Sequence, residues 1–170
     1  MNTINYKNYI PFLTIKDIYA GIKRGIIPPD SAVKYAECYA AVCPDTDSEI
    51  IIKLLIADSD EEVAALLGRR FGKTSARSEK SIEKLLFVTL NELSNQFDGD
   101  ELLDAIESVY ADFDYPPELN EFISYMPADN SDYAPSAHTH DENVRHIVDS
   151  FNAYLTHKAK TLGYQLPGEN

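Results

Sequence analysis

Tryptophan is missing from this chain, only two cysteines occur, and between Lys84 and Arg145 there is not one lysine or arginine. Cys38 and Cys43 stand five residues apart, a spacing that matches no zinc or redox motif. They read as two buried thiols in a reducing cytosol. No apolar run reaches the roughly 18 residues that a membrane-spanning helix needs. The first residues, from Met1 to Phe12, carry Asn2, Asn5, Lys7 and Asn8 instead of a cationic start followed by an apolar core, and do not read as a signal peptide. A cytoplasmic location with no membrane partner is the expectation. Hydrophobic residues make up 44% of the chain, which argues against the disordered, fibrous and collagenous classes. At 170 residues the chain has the usual size of one domain, large enough to bury roughly 70% of its unfolded surface.

The net charge is −13, but its distribution says more than its size. Leu85 to Val144 holds 14 of the 28 acidic residues and no base, while the remainder carries 14 acids against 15 bases. Just before that stretch, Arg69, Arg70, Lys73, Arg77, Lys80 and Lys84 lean the other way. Phosphate binding wants a basic footprint, so direct recognition of nucleic acid is not expected.

Helix starts stand out. Thr14 and Asp17 resemble a capping box ahead of Ile15, Ile18, Tyr19 and Ile22, and Gly25 is a natural stop. Pro28 and Pro29 suit the first turn of a second helix with Ala32, Tyr35, Ala36, Tyr39, Ala40 and Cys43 inward, ended by Pro44. Glu49 to Ala57 is apolar nearly all round and fits a central helix or a buried strand. Asp47 as a cap, with helical neighbours, favours helix. Ser59 with Glu62 caps the next, and a longer helix places Ile82, Leu85, Leu86, Leu90, Leu93 and Phe97 on one face. Asp98 caps a helix burying Leu102, Leu103, Ile106, Val109, Tyr110 and Phe113. Pro116 and Pro117 start another through Met126, Pro127 to His140 reads as a mobile loop, and a last helix spans about Asp141 to Leu162 before Gly163. The expected fold is all-α: a single domain, 1–170, of about eight helices packed as antiparallel hairpins.

Two clusters imitate sites. Gly68-Arg69-Arg70-Phe71-Gly72-Lys73-Thr74 has three residues between its glycines where a phosphate-binding loop has four, and it follows a helix instead of a strand. His138, His140, Asp141, Glu142 and His146 could hold zinc, but follow no established spacing. Acids in a first helical turn are expected on dipole grounds alone. No metal and no cofactor is assigned. No nucleophile elbow or Cys–His pairing is present either, and nothing singles out an acid–base pair of carboxylates, so an enzyme is not the reading.

The acidic stretch is harder to set aside. Asp100, Asp104, Glu107 and Asp114 fall in one stripe opposite the apolar face, flanked by Glu101 and Asp112. A solvated helix ordinarily intersperses lysine or arginine, since like charges four residues apart repel and opposite ones attract. Asp112 and Asp114 also lie at the helix end where the dipole disfavours acids. Tyr115 and Tyr125 beside Glu118 and Glu121 add the amphipathic aromatics that anchor protein interfaces. The partner-binding candidates are these ten residues, and the partner they suit is a basic protein. General acidity for solubility is the bland alternative.

Two segments carry a resemblance: Leu13-Thr14-Ile15-Lys16-Asp17-Ile18-Tyr19-Ala20-Gly21, and Tyr110-Ala111-Asp112-Phe113-Asp114-Tyr115-Pro116 running on to Phe122-Ile123-Ser124-Tyr125-Met126-Pro127. Together they resemble an uncharacterised bacterial domain family found among immunity proteins of contact-dependent inhibition and related polymorphic toxin systems. The resemblance implies a cytoplasmic protein that binds and neutralises one cognate toxin, and it brings no established functional residues. A nuclease toxin, which needs a basic surface, would suit an acidic binder. An acidic adaptor for another basic protein, and less readily a metal-dependent hydrolase built on the His138–His146 cluster, are the rival readings.

Overall fold

In the computed structural model, residues 4–44, 48–72, 78–123 and 133–165 are described. All regular structure among them is helical. Seven α-helices occur: α1 (Ile15–Lys23), α2 (Asp30–Val42), α3 (Glu49–Leu55), α4 (Asp60–Phe71), α5 (Ser78–Gln96), α6 (Gly99–Asp112) and α7 (His140–Leu162), with short 3-10 helices at Tyr6–Tyr9, Pro117–Phe122 and Pro135–Ala137. The contacts gather into two compact units, one up to Leu85 and one from Leu86 onward.

In the first unit α2 packs against both α1 and α3, and α4 returns onto α2 and α3. Thr14 and Asp17 form the reciprocal capping box, and Gly25 takes the left-handed conformation (φ 73°) just past the end of α1. Asp17 does more than cap. It is buried, accepts a 2.6 Å hydrogen bond from the Ser81 hydroxyl, and lies 3.4 Å from the Lys84 ammonium, which also donates to the Phe12 carbonyl at 2.8 Å. Residues 49–55 are helical, with Ser48 at the N-cap position making no side-chain cap; the expected cap, Asp47, lies outside the described residues. Its all-round apolarity has a plain cause: Ile51 and Leu54 are buried, whereas Ile52, Leu55 and Ile56 face outward. Helix α4 continues through Gly68 to Phe71, with Gly72 at its C-cap. Both cysteines are half-buried, not buried as expected.

The second unit is built on an apolar core of Leu86, Leu90, Leu102, Ile106, Phe122 and Phe151. The rings of Phe122 and Phe151 meet edge to face at 5.3 Å, an arrangement aromatic pairs favour. Helix α6 packs on α7, and the Pro117–Phe122 segment packs on both. That segment was expected as an α-helix, but it is a 3-10 helix. Two prolines at its head remove backbone donors, and the chain reaches it through Asp114 and Tyr115, both left-handed (φ 63° and 58°). Helix α7 starts on a full capping box, Thr139 with Glu142, and ends at left-handed Gly163.

Candidate functional site

The expected acidic surface belongs to the second unit. The Asp98 carboxylate accepts from the Gly99 N–H at 2.7 Å and starts α6, so the spacing of Leu102, Leu103, Ile106, Val109 and Tyr110 decides which face goes inward. That leaves Asp100, Glu101 and Asp104 exposed and Glu107 half-buried on the outer side. Asp112 is the last helical residue.

Asp114 is corrected. It does not continue the helical stripe, because α6 ends at Asp112 and Asp114 turns left-handed beyond it. The corner is held by the Tyr115 N–H donating to the Tyr110 carbonyl at 2.9 Å and by an edge-to-face contact of their rings at 5.2 Å. The Tyr110 hydroxyl donates to Asn120 at 2.8 Å, tying the corner to the 3-10 helix that carries Glu118 and Glu121. Tyr115 remains 57% exposed, a large share for a residue whose ring meets a neighbour edge to face. Tyr125 lies outside the described residues, as does the 127–132 part of the loop expected at 127–140.

Two of the acids are engaged within the unit. Glu118 accepts from the Tyr154 hydroxyl at 2.9 Å and the Lys158 ammonium at 3.0 Å. Asp100 meets His140 Nε2 at 3.0 and 3.1 Å. That hydrogen bond, then the attraction of the Asp100 charge, holds the His140 pKa above its ordinary value, with Asp141 adding to it. By contrast, the side chains of Glu101, Asp104, Asp112, Asp114 and Glu121 are exposed and have no hydrogen-bond or ion-pair partner among the described residues. Sequence reasoning missed His140 as a partner of Asp100, since the two stand forty residues apart with no motif joining them.

Two histidines of the cluster stack on the ring of Tyr133. Tyr133 stacks on His138 at 4.6 Å and on His146 at 3.8 Å, nearly parallel to both. Among the described residues no group of three His, Cys, Asp or Glu side chains converges as metal ligands. Nor is any described helix long and apolar enough to cross a membrane.

Fold and surface together define an all-helical protein whose distinguishing feature is a base-poor acidic exterior on one unit. The chain belongs to the family DUF2247, whose model matches residues 4–159 and is described as an uncharacterized protein conserved in bacteria. No curated protein and no solved structure matches it.

Proposed function

We propose that this chain is an immunity protein that binds and neutralises a cognate basic toxin, a nuclease, through the acidic surface of its second unit. The observation that carries the reading is the group of five exposed carboxylates at Glu101, Asp104, Asp112, Asp114 and Glu121, which have no partner among the described residues. A chain under selection for stability alone would set bases among them, as the first unit does with Asp30–Lys34 and Glu49–Lys53. The left-handed corner that displays Asp114 and Tyr115 adds an exposed aromatic at the edge of the charge. The resemblance of the Leu13–Gly21 and Tyr110–Pro127 segments to immunity-associated proteins points the same way.

The action is stoichiometric. A nuclease presents cations to phosphate, and a carboxylate surface competes for those same cations. Opposite fields raise the association rate by orders of magnitude at low salt, and the acceleration fades as salt screens it.

Two results test this. The gene immediately upstream should encode a large secreted protein ending in a variable basic domain; a metabolic operon there would count against the reading. With that domain in hand, the triple variant Asp104→Lys, Glu107→Lys, Asp114→Lys should associate at least about tenfold more slowly at low salt and lose most of the salt dependence. Unchanged affinity and salt dependence in a folded variant would overturn the surface assignment.

A further inference from the structure

We propose that the outer face of α3 is a two-fold interface, on which a second copy of this chain lays its own α3 antiparallel to form a weak dimer. The interface is built from first-unit residues alone and owes nothing to the toxin reading. Among the described residues, every large aliphatic side chain that is exposed belongs to α2, α3 or the residue that ends α3. Ile52 is 50% exposed, Leu55 41% and Ile56 70%. At 3.6 residues per turn these three fall within an arc of about 100°, away from Ile51 and Leu54, which hold α3 in the core. Val42, the last residue of α2, on which α3 packs, is exposed as well.

Charge selects the occupant. Glu49 and Lys53 edge the apolar strip and pair one turn apart, and Arg70 of α4 also attracts Glu49. A margin of mixed sign favours neither a strongly acidic nor a strongly basic partner. It does suit an identical helix run antiparallel, because the same edges then meet and Glu49 of each copy comes beside Lys53 of the other. The chain as a whole should repel its own kind at a net charge of −13, yet the unit that carries α3 is balanced, with twelve acids against twelve bases up to Leu85. Two copies can therefore meet through this unit without opposing net charge. The apolar strip measures on the order of a few hundred Å², the size at which a patch on a monomer is often functional. A standard stable interface takes about 800 Å² from each partner, so the dimer is weak, with a Kd on the order of 100 µM.

Sedimentation of the full chain between about 10 µM and about 1 mM tests the interface, in about 0.3 M salt to screen the repulsion of the acidic units. The average mass should climb from 19.1 kDa to at least about one and a half times that value. Ile52→Asp with Ile56→Asp should stay monomeric throughout and, since both side chains are exposed, should melt at the natural temperature when dilute. Lys53→Glu alone should weaken the dimer several-fold, and Lys53→Glu with Glu49→Lys should restore it. A natural chain that remains monomeric at about 1 mM overturns the proposal and leaves the face to a different protein. A dimer that survives the double aspartate variant overturns it too, by placing the contact elsewhere. A charge swap that fails to restore what the single reversal lost overturns the antiparallel pairing.

Discussion

Up to Leu85 the chain carries twelve acidic and twelve basic residues; from Leu86 onward sixteen acids stand against three bases, so the whole net charge of −13 belongs to the second unit. The two units also spend their acids differently. In the first, Asp17 is buried among Thr14, Ser81 and Lys84, and Asp30 and Glu49 each face a lysine one turn along. In the second, Asp98 and Glu142 cap helices, Asp100 and Glu118 find partners on α7, and five more acids on and beyond α6 find none among the described residues. Exposed acids without a partner among the described residues occur in both units, Glu37, Asp60 and Glu61 in the first, but the second leaves its acids unbalanced by bases. A buried charge must be compensated because desolvation is costly, while an exposed one is tolerated because water and salt screen it.

The largest expected effect lies on the buried side of that contrast. Asp17→Ala leaves the Lys84 ammonium, whose side chain is 18% exposed, without its carboxylate, and removes the α1 capping box as well. A loss of about 3 kcal/mol in chemical denaturation is expected. The comparison sharpens in a double-mutant cycle. Asp17 and Lys84 should show a coupling of at least about 1 kcal/mol, and Glu118 with Lys158, the equivalent pair of the second unit, about 0.5 kcal/mol or less. Equal couplings would break the distinction between structural and displayed charge.

Next comes the corner after α6. Asp114 is held left-handed (φ 63°), a conformation that costs most side chains about 1 kcal/mol and glycine almost nothing. Asp114→Gly should therefore stabilise the protein by up to about 1 kcal/mol in thermal or urea unfolding, while slowing association with a basic partner. A variant that is both more stable and a poorer binder would mark Asp114 as retained for recognition. One that is less stable would mean the carboxylate serves the turn itself, and the residue would leave the display group.

What the sequence discloses follows the range of the interactions. Capping at Thr14, Ser59 and Asp98 was readable because donor and acceptor lie within one turn, and Gly25 and Gly163 mark helix ends because glycine accepts φ above zero without strain. The helix at Glu49–Leu55 was ambiguous because its outer face is also apolar, with Ile56 70% exposed. Asp114 was misplaced because periodicity extrapolates past a helix end that only backbone geometry reveals. The second role of Asp17 and the Asp100–His140 pair depend on partners more than thirty residues away, where no spacing rule operates. The exposed acids themselves were legible, since the absence of bases is a property of composition.

The smallest effect tests Asp100, an acid in the first turn of α6 that is paired and not merely displayed. His140 opens α7 at its positive dipole end, where an imidazolium is disfavoured, and Asp100 offsets this from α6. Because the pair raises the His140 pKa in the folded state, its stabilisation is fully present below the unfolded value near pH 6.5 and disappears as pH rises through the folded one. Asp100→Asn should thus lower the melting temperature by about a degree at pH 6 and leave it unchanged at pH 8.5. A uniform loss at both values would mean that Asp100 acts by capping α6 and not through the imidazole. No loss at either would place Asp100 with Glu101 and Asp104, among the carboxylates that the fold leaves for a partner.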